Sequence, residues 1–469
     1  MRIKILFYFI LFCSNSLIYA QQKDSVYLSM DNALKDAEQV LKLDLTWQYM
    51  LEMPPGIEKL KNLEELYLGW NKLARLPKEV LKLKKLRKVA LNDNPRLDLK
   101  KILNLLVEVE SLRELSIGWN GMKDMPEELA ALNRLTSLEI LCDTAVNIDH
   151  LTQAIGLLPR LQSLSLKRNK IRVLSDNIST LINLTTLDIS GNRLAEISSK
   201  VGKLKKLRVL NAKGNQLVAF PDAIIGMRDL LELDLSSNSI SELPNRVGGF
   251  PNLQKLDLSE NSIKELPNNI TKLEDLKYLN ISRNDFKELP RDVKDLEKLE
   301  VLNIGYNSFA DLPASVAELK KLEVLDISNN SKIDFVKFFK GLKGFVQLQE
   351  LDLSNNQIDS LSTMIATYEN LKKLKLSGNE IRHIADDFMK LRELHELDLS
   401  ANKLRDIPNA ILKMPNLEVL HLDNNKIMYI PDDIAGMTRL KEISLRYNPI
   451  SEKEVEKLRK LLPNLIVNR

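Results

Sequence analysis

The chain has 469 residues, 28% of them charged, with 68 Lys and Arg set against 64 Asp and Glu. So even a balance gives no electrostatic reason to expect nucleic acid or an anionic membrane surface as a partner. A globular chain of this length divides into about two or three domains, unless it is an array in which each unit touches only its neighbours.

Residues 1–20 differ from everything after them. Arg2 and Lys4 precede the apolar run Ile5–Cys13, and Ala20 precedes the polar Gln21-Gln22-Lys23-Asp24. This is the pattern of a secretory signal peptide cut after Ala20, and the run is too short for a membrane span. Ile10-Leu11-Phe12-Cys13 has the outline of a lipoprotein box, but bulky Phe12 stands where that motif needs a small residue. With Cys13 removed, Cys142 is the only cysteine, so no intramolecular disulfide can form. These features fit an exported bacterial protein in the periplasm, at the cell surface or secreted. Residues 21–39 read as an N-terminal cap, with a helix over Ser29–Gln39 carrying Ala33, Leu34 and Ala37 on one side.

Residues 40–464 repeat one pattern 18 times, and residues 465–469 begin a truncated further copy. The copy at 230–252 is representative. Counting Leu230 as position 1, apolar residues fall at 1, 4, 6, 11, 14, 18 and 21, namely Leu230, Leu233, Leu235, Ile240, Leu243, Val247 and Phe250. Leu233 and Leu235 flank Asp234, the period-2 signature of a strand with one buried face. Pro244 opposes a regular helix in the second half. One copy cannot stand alone, because burying seven apolar side chains gains roughly 10–20 kcal/mol gross while ordering each backbone residue costs about 1–2 kcal/mol. Stacked copies cover one another's apolar faces.

The pattern L-x-x-L-x-L-x-x-N-x-L-x-x-L-P resembles the leucine-rich repeat family. The 23-residue form with Leu-Pro is similar to bacterial, Ras-scaffold and plant disease-resistance repeat proteins. The resemblance implies an α/β solenoid, a curved horseshoe with a parallel sheet on its concave face and short 3-10, irregular or helical convex segments. It implies partner binding in general and no particular partner.

Repeats starting at Leu86, Leu135 and Leu322 have 26 residues, lack Leu-Pro, and carry helix-compatible runs headed by Asp98, Asp149 and Asp334. Aspartate is a favoured N-cap. Position 9 is Asn in 16 of 18 repeats, with Gln48 and Asp143 as exceptions. Its amide suits the backbone groups of the turn leaving each strand. A C-terminal cap over 451–469 is expected, with a helix at Glu452–Leu462 and with Leu465, Ile466 and Val467 closing the stack.

Positions 2, 3, 5, 7 and 8 flank the buried leucines and are expected on the sheet's exposed face. There the three tryptophans, Trp47, Trp70 and Trp119, all fall at position 8, with Tyr67 at position 5 beside them. Clustered exposed indoles are frequent binding anchors; packing on the N-terminal cap or on each other is the bland alternative. A file of Asp and Asn at position 5 from Asp188 to Asp352 reads as a solvated strand face rather than a cation site. Asp398, His421 and Ser444 at position 5 of three successive repeats mimic a nucleophilic triad, but an open sheet face offers no oxyanion hole. No phosphate loop, H-E-x-x-H or C-x-x-C is present, so neither enzymatic activity nor a cofactor or metal is expected. The expected function is binding of a protein or peptide through the concave face, with Trp47, Tyr67, Trp70 and Trp119 as partner-binding residues. The alternative is a glycan held by the tryptophan patch.

Overall fold

The structure, a computed structural model, describes residues 26–120, 126–141, 148–341, 345–361 and 363–469. The expected signal peptide and Cys142 lie outside the described residues. The chain divides into two units, residues 1–143 and 144–469.

In the first unit, strands Val26–Tyr27, Lys42–Asp44, Glu65–Tyr67, Lys88–Ala90, Glu114–Gly118 and Ser137–Leu141 pair in sequence order, all parallel. In the second, strands from Ser163–Ser165 to Ile466–Asn468 do the same. Register follows repeat phase residue by residue: Leu233 pairs with Leu256 and Asp234 with Asp257. The paired strand occupies positions 3 to 5 in most repeats and is three residues long, while the buried alternation runs on to position 6, as at Leu235.

Burial follows the repeat as well. Leu230, Leu233, Leu235, Ile240, Val247 and Phe250 are buried, while Leu243 is partly exposed at the margin. The Leu-Pro step, Met-Pro at Pro126 and Ile-Pro at Pro431, shapes the second half of the repeat. Pro77, Pro126, Pro244, Pro267, Pro313 and Pro431 hold φ between −59° and −71° and each starts a single 3-10 turn. Where Leu-Pro is missing in the 26-residue repeats, α-helices form at Leu99–Val107, Ile148–Gly156 and Phe335–Gly341. Asp98 and Asp334 cap theirs, accepting from the N–H of Lys101 and Lys337 at 3.2 and 3.0 Å. Asp149 lies inside its helix rather than at the cap. Asn409–Leu412 adds one α-helical turn after Pro408, which the repeat pattern does not announce.

The position-9 asparagines form a ladder. Asn261 Nδ2 donates to the carbonyls of Leu235 and Leu258, both at 3.0 Å, and its Oδ1 accepts from the Ile240 N–H at 3.0 Å. Each amide thus ties its own turn to the one before. Gln48, where Asn is replaced, turns its Nε2 to the Leu28 carbonyl at 2.8 Å.

The ends differ from expectation in detail. The N-terminal helix is Met30–Lys35, capped by Ser29, and it is preceded by the strand Val26–Tyr27, whose lack of alternation concealed it. At the other end Glu452–Leu461 is helical and Ile466–Asn468 extends the sheet. Ile466 does not close the stack: it is 59% exposed, because its side chain falls on the position-3 side of the strand, where Glu442 stands one rung earlier.

Candidate functional site

Position 8 is where the chain leaves the strand, and its backbone is left-handed in every repeat where it is described, from Trp47 at φ 63° to Tyr447 at φ 58°. Glycine and asparagine adopt this conformation most easily, and Gly191, Gly214, Gly378, Asn329, Asn355 and Asn424 occupy it elsewhere. For other residues it costs about 1–2 kcal/mol. Three tryptophans, at φ 63°, 57° and 51°, are held there against that preference.

The shared backbone aims the indoles alike. Trp47 and Trp70 stack with centroids 4.2 Å apart and planes 7° from parallel. Trp119 meets Trp70 edge-on at 5.3 Å and 61°, reaching across the rung whose position 8 is Asp93. Each such pair is worth about 0.5–1.5 kcal/mol beyond its buried area, which offsets part of the backbone cost. Trp70 and Trp119 are half-buried, but Trp47 remains 56% exposed, so the N-terminal cap does not bury it among the described residues. Gly118, just before Trp119, sits where a Cβ would lie 2.1 Å from the Leu141 carbonyl oxygen, so the strand can approach its neighbour only with glycine there.

Tyr67 belongs to a different set of contacts. Its hydroxyl donates to Glu65 Oε2 at 2.6 Å, and Lys88 Nζ lies 5.3 Å from its ring centre. Burial first, then the bond to Glu65 and the charges of Glu65, Glu114 and Asp44, push its pKa above the ordinary 10.0. The neighbouring cations are paired at the strand side of the face: Lys42 with Glu65 at 3.8 Å, Arg87 with Glu64 and Glu65 at 3.0 and 2.9 Å, and Lys88 with Glu114 at 3.6 Å.

The position-5 file is bonded rather than merely solvated. Asp234, Asp257, Asp326 and Asp352 each accept from the N–H two residues on, at 2.8–3.0 Å. An Asx-type bond to the departing turn therefore explains Asp and Asn here. Strand pairing aligns Asp398 with His421 and His421 with Ser444, but the Ser444 hydroxyl donates to Asp423.

Two family models match. One described as a leucine-rich repeat region covers residues 268–376; another, leucine rich repeat, covers stretches within 159–286 and 392–450. Together they span more than half of the chain. With the parallel sheet and the asparagine ladder, they establish that the chain belongs to the leucine-rich repeat family. A leucine-rich repeat protein of Leptospira interrogans is similar at 29% identity, with 95% of this chain and 100% of that one covered and a TM-score of 0.63. A plant peptide hormone receptor, solved in complex with RGF2, matches at 25% identity over 89% of this chain and 72% of that chain, with a TM-score of 0.56. An internalin from Listeria monocytogenes shares the fold at 22% identity over 67% and 82% of the chains, TM-score 0.51. No curated protein matches the chain. Among the described residues no helix is long and apolar enough to cross a membrane.

Proposed function

We propose that this is an exported leucine-rich repeat scaffold that binds a protein or peptide partner, without catalysis, at the indole ladder of its first unit. One observation carries the reading: Trp47, Trp70 and Trp119 occupy left-handed backbone positions, stack on one another, and leave Trp47 more than half exposed. Position 8 in the other described repeats is Gly or Asn in six and a mixture of Asp, Arg, Ser, Glu, Tyr and Ala in the rest, and nowhere else among them do large aromatic rings at this position stack on one another. The plant receptor solved with RGF2 supports a peptide as occupant of such a scaffold. Orientation of the Ser444 hydroxyl toward Asp423 rather than His421 supports binding over hydrolysis. Export rests on residues 1–20, with the periplasm, the cell surface and the medium as destinations.

The test is affinity recovery from envelope extracts on the 21–469 chain beside its Trp70→Ala variant. A partner retained by the first and lost by the second supports the reading; equal recovery by both refutes it. The exposed indole of Trp47 also favours a pyranose ring, which makes a glycan the second reading. Binding on a glycan array that free sugar competes away would select it.

A further inference from the structure

The two ends of the sheet's face in the first unit differ in charge. Cations stand at positions 2 and 3, and Lys42, Arg87 and Lys88 are engaged there by Glu64, Glu65 and Glu114. Arg113 turns its guanidinium to the carbonyls of Glu110 and Leu112. Positions 5, 7 and 8, from which the indoles project, carry Asp44, Asp93 and Glu139 and no Lys or Arg from Asp44 to Leu141. One cation stands beyond them at the turn, Lys72, with its Nζ 5.8 Å from the Tyr49 ring centre. The strip that holds the indoles is thus aromatic and acidic together.

The same chain shows what such a strip accepts. At position 8 in the second unit, the Arg283 guanidinium carbon lies 3.9 Å from the ring centre of Tyr306, with Glu260 3.9 Å from Arg283 Nε. Here a left-handed aromatic, a stacked guanidinium and a carboxylate succeed one another rung by rung. The ladder of the first unit repeats the aromatic and the carboxylate. Trp47 has one face on Trp70 and is 56% exposed, and Asp44 ends the strand three residues before it, one carboxylate oxygen accepting from the Thr46 N–H at 2.9 Å.

We propose that the ladder receives an arginine side chain of a peptide partner, the guanidinium stacking on the exposed indole of Trp47 with Asp44 as its counter-charge. This rests on the peptide-binding reading and narrows it to a basic peptide. A planar cation gains both from the negative face of the indole ring and from the carboxylates around it. An anionic ligand would meet Asp44 and Asp93 instead. The negative field that helps raise the Tyr67 pKa, to which Asp44 contributes, has the same sign.

All three tryptophans of the chain lie in this ladder, so intrinsic tryptophan fluorescence reports on it alone. The experiment titrates the full chain with an acetylated, amidated Gly-Arg-Gly-Arg-Gly peptide and with its citrulline counterpart, which keeps the planar shape and loses the charge. The expected result is a saturable change with the arginine peptide that weakens at least tenfold with citrulline, in 0.5 M salt, and in Asp44→Asn. Trp47→Ala should abolish it while Trp47→Phe retains part. Equal titration by both peptides overturns the guanidinium assignment and leaves peptide binding standing. A response to chitotriose with none to either peptide overturns both, and no response to the arginine peptide overturns the proposal outright.

Discussion

Asn261→Ala tests the ladder that holds the repeats together. The wild-type amide donates to the carbonyls of Leu235, Leu258 and Ser259 at 3.0–3.1 Å. Each of these keeps another donor after truncation: Asn238 Nδ2 for Leu235, Asn284 Nδ2 for Leu258, and the Ser237 N–H for Ser259. The Ile240 N–H differs. Its acceptor is Asn261 Oδ1 at 3.0 Å, and Ile240 is fully buried. One orphaned buried donor costs about 1–3 kcal/mol, so the loss should be near 2 kcal/mol and centred on Ile240. Lys264→Ala, exposed one turn on, should cost no more than about 0.5 kcal/mol. Repeat arrays unfold in parts, so amide hydrogen exchange at Ile240 is measured beside denaturant melts. If the two variants melt alike and Ile240 exchanges at the wild-type rate, the ladder does not stabilise as described.

At the indoles, Trp70→Ala should weaken partner binding by about 2 kcal/mol or more in calorimetry and, by removing the stacks on Trp47 and Trp119, should lower stability by about 1–3 kcal/mol; a purely structural role would lower the melt and leave the affinity unchanged. Gly118→Ala should destabilise by more than about 2 kcal/mol, read from denaturant midpoints, because its Cβ meets the Leu141 carbonyl. The folded state holds the Tyr67 proton above pH 10.0, where the unfolded chain releases it, so stability should fall as pH rises past that value. Tyr67→Phe should shallow the fall, as followed by alkaline melts. Mass spectrometry of protein exported by a bacterial host should find Gln21 at the N-terminus; an intact Met1 in the cytosol contradicts the signal peptide.

Much of the scaffold was legible because each leucine answers to two constraints at once, strand phase and repeat phase. Leu233 and Leu256 could hardly be out of register with both in force. The ladder followed from Asn at position 9 for the same reason. What escaped was local backbone geometry. Position 8 carried its own signal, since Gly191, Gly214 and Gly378 alternate there with Asn329, Asn355 and Asn424, the residues that tolerate positive φ. The tryptophans and the Asp, Arg, Ser, Glu, Tyr and Ala of other repeats concealed it, since none of these announces a left-handed turn. The position-5 aspartates were assigned to solvent because their bonds run to N–H groups of their own turn, which no apolar period records. Val26–Tyr27 has two residues and no alternation, so only its pairing with Lys42–Leu43 reveals a strand.

The asparagine bonds also give the stack a direction. Each Oδ1 serves the turn before it: Asn71 serves Met50, Asn261 serves Ile240, and Asn448 serves Ile427. Cutting the chain back from its C-terminus therefore strips an acceptor from the turn left last. Removing residues from 448 onward leaves the Ile427 N–H without its partner. Cutting from the N-terminus instead frees an amide oxygen and takes from the first remaining Nδ2 its carbonyl in the turn before, as Leu235 is for Asn261. That Nδ2 keeps the carbonyls of its own turn, here Leu258 and Ser259. The two kinds of shortening are not equivalent. Pieces that keep their C-terminal end should outlast pieces of equal length that keep the N-terminal one.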